Sequence, residues 1–216
     1  MAVATTANGL VAEFGDGNAT MGAIKKRAKE IGRDHDLANE LWSSGNYGAR
    51  LLSVLILDKK QLTATEVERL AADMLEHDDA ERDQLADWLL ANQLTKAKNL
   101  VSLLETWEQS PSPVLRRLFW YHQGRLRWVG QTPPPNTKEL LDALEEKLPT
   151  EKDPAVQGAM NFCAGWIGVH DPTFRARCIK LGKQVGLYKD EVVAKNCTPS
   201  YLPEFIRIES AKLEGA

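Results

Sequence analysis

The chain has 216 residues, 43% of them hydrophobic, with 27 Lys and Arg against 30 Asp and Glu, a formal net charge of −3. That length fills one sizeable core or one array of stacked repeats and leaves little room for two independent domains, so one domain over 1–216 is expected. A sequence pI near 5.9 argues against tight indiscriminate binding to DNA, and three cysteines, Cys163, Cys178 and Cys197, with no CxxC pair exclude a disulfide framework and read as reduced thiols.

The first 19 residues, "MAVATTANGLVAEFGDGNA", lack a basic n-region and a continuous apolar core, and read as a flexible or capping segment. No later run approaches the ~20 apolar residues of a membrane span. A soluble, cytoplasmic protein without a membrane partner is expected.

From there the pattern is helical almost throughout. Thr20 suits the N-cap of "MGAIKKRAKEIG" and Asp34 that of "HDLANELWSSG", with Gly32 and Gly45 placed at helix C-termini. "NYGARLLSVLILD" holds an apolar run, Leu51 to Leu57, that composition alone also allows as a buried strand. A helix is expected because helices flank it and no partner strand is in sight. Thr63, or Thr65 with Glu68 in capping-box position, opens "EVERLAADMLEH". "AERDQLADWLLANQL" and "AKNLVSLLETWEQ" follow, and Pro113 suits the first turn of the next helix.

The one clear linker is "GQTPPPN" at 130–136, whose prolines favour a stiff extended loop. Beyond it "TKELLDALEEKL", "DPAVQGAMNFCAGWIGV", "DPTFRARCIKLGKQVG" and "LPEFIRIESAKL" read as helices. Eleven or twelve helices with short joints predict an all-α fold, an α-α superhelix of HEAT-like antiparallel helix pairs, with a closed irregular bundle as its rival.

Within this acidic chain, "VLRRLFWYHQGRLRW" (114–128) holds four arginines, four aromatics and no acid. On a helical wheel Leu115, Leu118, Phe119, His122, Leu126 and Val129 gather in a core-facing arc. Arg116, Arg117, Trp120, Tyr121, Gly124, Arg127 and Trp128 fall on the other side. Guanidinium groups with aromatics between them neutralise phosphates and stack on bases, as a nucleic-acid groove requires. The alternative is that the tryptophans pack under a neighbouring helix while the arginines snorkel outward. Charge is segregated along the chain: 109–138 and 172–189 each carry five Lys or Arg and no acid, whereas 66–87 carries nine acids against Arg69 and Arg82. The basic segments, including Arg175 and Lys180, are expected to line one surface that contacts DNA.

"AIKKRAKEIGRDHDLANELWSSGNYGARLLSVLIL" resembles the N-terminal part of the AlkD-like DNA alkylation repair proteins. "VQGAMNFCAGWIGVHDPTFRARCIKLGKQVGLYKD" and "KNCTPSYLPEFI" look like a divergent subgroup of that family with a C-terminal "CTSP" turn. The resemblance runs from about Ala23 to Ile206. It implies a HEAT-like superhelix whose basic concave face cradles duplex DNA, and an activity that releases N3- and N7-alkylated purines without a cofactor or metal.

The chemistry so implied is modest. An alkylated purine is cationic and leaves readily, so the site must chiefly stabilise an oxocarbenium-like sugar and place a water. The family plan is a Trp-x-x-x-Asp pair, an arginine and a second tryptophan. "ADWLL" matches the aspartate helix and puts the carboxylate at Asp87; four residues upstream, where the family has tryptophan, stands Asp83. A register shifted by one turn makes Asp83 the carboxylate and does not restore the aromatic, and Trp88 points about 100° away. The family arginine matches Arg117, and the second tryptophan matches Phe162. The candidate catalytic residues are therefore Asp87, Arg117 and Phe162, and the candidate DNA contacts are Arg116, Arg117, Trp120, Tyr121, Arg127, Trp128, Arg175 and Lys180. Each also suits a structural role: Asp87 a surface carboxylate or the partner of a neighbouring arginine, Arg117 an intramolecular salt bridge, Phe162 the core. Trp42, Trp107 and Trp166 read as packing. The cluster "EHDD" at 76–79 reads as a solvated helix end rather than a metal site. The expected partner is duplex DNA, alkylated, engaged by a monomer. A non-catalytic DNA-binding or protein-interaction scaffold is the alternative function.

Overall fold

The computed structural model describes residues 6–15, 20–128 and 133–214. These hold twelve α-helices, three 3-10 turns and no strand. Two compact units divide the chain, Met1–Leu118 and Phe119–Ala216. The first contains α1 (Ala7–Phe14), α2 (Met21–Ile31), α3 (His35–Ser43), α4 (Tyr47–Ile56), α5 (Ala64–Asp73), α6 (Asp79–Asn92) and α7 (Lys98–Leu104). The second contains α9 (Thr137–Lys147), α10 (Pro154–His170), α11 (Pro172–Val185) and α12 (Leu202–Glu214). The unit boundary falls inside α8 (Pro113–Trp128). Among the described residues no helix is long and apolar enough to cross a membrane. Val129 and much of the Pro-rich loop lie outside the described residues.

Helix starts follow local chemistry. Oxygens of Thr20, Asp34 and Asn46 accept from the backbone N–H three residues on, satisfying a donor the first turn leaves free. Thr63, not Thr65, opens α5, in a reciprocal capping box with Glu66. Gly32 and Gly45 follow their helices at φ 77° and 70°, a left-handed region that side chains disfavour.

The strand-like apolar run of α4 is helical because the helix is buried nearly all round, packed against α1, α2, α3 and α6. Gly48 permits one of these approaches: a Cβ there would stand 2.4 Å from the carbonyl oxygen of Phe14. Arg50, 3% exposed, sits in this interior. It donates to the carbonyls of Trp42 (3.2 Å) and Asp73 (2.8 Å), to Nε2 of His77 (2.8 Å) and to Glu76 (2.8 Å), and lies over the Trp42 ring. A buried guanidinium is tolerable only with such saturation.

In the second unit α10, α11 and α12 pack on one another, with α9 against α10 and α11. Asp153 and Asp171 cap α10 and α11, each with proline at the first helical position. The "CTPS" turn is tied down at both sides: Asn161 donates to the Ser200 carbonyl (2.8 Å) and Thr198 to Glu209 (2.6 Å).

Candidate functional site

In the first unit, Asp83 and Asp87 stand one turn apart on α6, a like-charge spacing that is unfavourable unless a cation intervenes. Arg117 supplies it. Its Nη1 donates to Asp87 at 2.7 Å, and its Nε lies 3.2 Å from Asp83. The arginine side chain is 11% exposed and each carboxylate 35%, so the cation is recessed and the acids open outward. Two carboxylates on one guanidinium leave a formal charge of −1 at the mouth of the site. That arrangement attracts a cationic group and repels a phosphate brought close. Trp88 is buried and carries the Lys25 ammonium 5.4 Å from its ring centroid, which commits it away from a role beside Asp87. Arg116, in the same unit, donates to the carbonyls of Ser110 (2.9 Å) and Pro111 (3.1 Å), closing the turn before α8.

The second unit holds an aromatic cluster. Phe162 is half-buried and packs on Gly124, with ring centroids 5.0 Å from Tyr121, 5.9 Å from Trp128 and 6.2 Å from Trp166. Trp128 is 43% exposed and stacks on Trp166 (6.1 Å, 28°), which stacks in turn on His170 (5.6 Å, 23°). The Arg125 guanidinium lies over both Tyr121 (6.0 Å) and Trp128 (5.8 Å). This pairing of cation and exposed indole is suited to stacking on bases.

The wheel reading of α8 needs correction. Trp120, expected on the exposed face, is 1% exposed and packs edge-on against Phe119. Arg127 is 4% exposed, and its guanidinium donates to Gln123, Asn136 and Thr137, stapling the end of α8 to the start of α9. Gly124 is buried under Phe162. A 100° wheel assumes one buried face, and this helix is covered on more than one side. Large apolar stems and a full set of acceptors allow Trp and Arg to be buried there. Of the core arc, Leu115, Leu118, Phe119 and His122 are buried, and Leu126 is half-exposed.

Among the basic residues of α11, Arg175 donates to the carbonyls of Gly168 and Val169 at the end of α10. Arg177 is held by Asp142 (2.6 Å) and Glu145 (2.8 Å), so α9 neutralises part of the basic segment. Lys180 is exposed. Trp42 and Trp107 are buried as expected, and Trp166 is half-buried inside the aromatic cluster. Sequence reasoning missed Arg125. Its spacing from Tyr121 (four residues) and Trp128 (three) was the available signal, since both put it beside those rings on a helix.

A solved structure described as a new family of proteins related to the HEAT-like repeat DNA glycosylases with affinity for branched DNA structures is similar to this chain. The two share 20% identity over 91% of this chain and 81% of that one, with a TM-score of 0.66, which establishes a HEAT-like helical-repeat fold here. Among curated proteins, none matches the chain. The family model described as DNA alkylation repair enzyme matches residues 17–180, and the chain belongs to that family.

Proposed function

We propose that the chain, acting as a monomer in the cytoplasm, binds duplex DNA carrying N3- or N7-alkylated purines and hydrolyses their N-glycosidic bond. The observation that carries this is the Asp87–Arg117 pair, a half-exposed carboxylate fixed by a recessed guanidinium on the helix the family uses for its aspartate. In this reading Asp87 faces the positive charge that develops on the sugar, and Arg117 holds its position. Asp83 stands where the family has an aromatic, and there exchanges cation–π attraction for direct charge attraction to the alkylated base. In the second unit Phe162, Tyr121, Arg125 and Trp128 offer a stacking surface, with Arg175 and Lys180 as backbone contacts, and in the first unit Arg116 offers another.

A second reading is favoured by the same triad. Because Arg117 already serves two carboxylates, it has less to offer a phosphate, and the chain then binds DNA without cleaving it. The similarity to a protein with affinity for branched DNA agrees with that reading. Free base released from duplex containing 7-methylguanine, quantified by mass spectrometry, separates the two. The first reading predicts release above the spontaneous rate by wild type, abolished in Asp87→Asn and reduced at least 100-fold in Arg117→Ala, in line with the loss of one transition-state electrostatic group. Release at the spontaneous rate from folded wild type assigns the non-catalytic function.

A further inference from the structure

On the first unit, away from Asp87 and Arg117, a half-open cavity of about 300 Å³ is lined by residues of α1, α2, α4 and α6 and by His77. That volume suits a small ligand. Phe14, Ile24 and Leu51 lie behind its surface, all buried. Its polar wall is Tyr47, His77 and Glu81.

The wall is organised from behind. Arg50 has only donors, so the His77 Nε2 it meets at 2.8 Å must accept, which leaves the ring's proton on Nδ1. That proton goes to Glu81 Oε2 at 2.7 Å, and the histidine side chain is 7% exposed. His77 is therefore spent in holding Glu81, and its ring also leans on Tyr47, 6.0 Å between centroids. Among the described residues no hydrogen bond reaches Oε1 of Glu81 or the hydroxyl of Tyr47. Burial first, and then the charges of Glu81 and Asp78, push the Tyr47 hydroxyl's pKa above its ordinary value, so the phenol stays neutral and its oxygen can accept from a cation.

We propose that this cavity binds a small organic cation, with its charged head against Glu81 and Tyr47. An anion is disfavoured by Glu81 and Asp78, and a purely apolar ligand leaves the oriented carboxylate dehydrated without a partner. A planar amidinium suits this wall, since its paired N–H groups meet a carboxylate. This site does not depend on the DNA-binding reading.

Calorimetric titration of the full chain with benzamidine, and with its neutral isostere benzamide, tests the assignment. Benzamidine should bind wild type at least tenfold more tightly than benzamide. Glu81→Gln should weaken it tenfold or more, and Tyr47→Phe about threefold, the loss of one neutral hydrogen bond. Equal binding of the two probes by wild type, absence of benzamidine binding, or unchanged affinity in both variants overturns the proposal. Should Glu81→Gln melt far below wild type, Tyr47→Phe and the probe comparison still decide it.

Discussion

Replacing Arg50 with methionine keeps most of the stem's packing and removes the guanidinium. The lost donors served the carbonyls of Trp42 and Asp73, His77 Nε2 and Glu76. The Glu76 pair costs little, because that carboxylate is 65% exposed and regains water. The Trp42 carbonyl keeps the N–H of Gly45 (3.2 Å), whereas the Asp73 carbonyl and His77 Nε2 lie in the interior beside α4, and each buried acceptor left without a partner costs about 1–3 kcal/mol. Part of that is offset by no longer burying a charge, which puts the net loss at roughly 2–4 kcal/mol. At about 2–4 °C per kcal/mol for a chain of this size, melting should fall by roughly 4–16 °C. Urea and thermal unfolding followed by circular dichroism measure it, with Glu76→Ala expected within about 0.5 kcal/mol of wild type. An Arg50→Met protein within about 1 kcal/mol of wild type, or an equal loss in Glu76→Ala, would refute the buried-hub reasoning.

Gly124→Ala gains helix propensity, ~1 kcal/mol, but drives a Cβ to 2.4 Å from Phe162. Overpacking costs about 1–3 kcal/mol, so chemical denaturation should show a net loss of roughly 1 kcal/mol. Cys163 and Cys178 are buried with pKa pushed up to about 12, while Cys197 is exposed. One thiol should therefore react promptly with an aromatic disulfide reagent in the native chain, and three in denaturant. Burial, and then Arg125, hold the His122 pKa below its ordinary 6.5. The unfolded chain takes up that proton first, so this contribution is present above pH 6.5 and is lost as pH falls from there toward the folded value. Its slope is at most about 1.4 kcal/mol per pH unit, and urea titrations at stepped pH should show it flattened in His122→Gln.

Short-range chemistry was the most legible part of the sequence. Caps at Thr20 and Asp34, the helical α4 and the proline at the start of α8 depend on a few adjacent residues, and the structure places them as the pattern indicates. The choice between Thr63 and Thr65 was open because both have a glutamate three residues on, and only the folded turn shows which pair closes. Asp87 and Arg117 were each visible as a family match. Their union with Asp83 was not, because it depends on α8 meeting one face of α6. Trp120 and Arg127 were misread for a related reason. A wheel knows one helix and not how many neighbours cover it, and the acceptors for Arg127 come from Asn136 and Thr137, beyond the linker. Nothing local to 76–81 foretells the His77 arrangement either, since the donor that fixes its tautomer is Arg50, more than twenty residues earlier.

Both functional readings require that the chain engage duplex DNA, and fluorescence anisotropy across a salt series measures this most directly. With labelled duplex, with and without 7-methylguanine, the logarithm of the binding constant should fall linearly with the logarithm of salt concentration. The slope is about −0.9 for each phosphate neutralised, and it should become shallower when Lys180 or Arg116 is replaced by alanine. A binding constant indifferent to salt, or no binding at low salt by folded protein, would contradict a DNA-binding role.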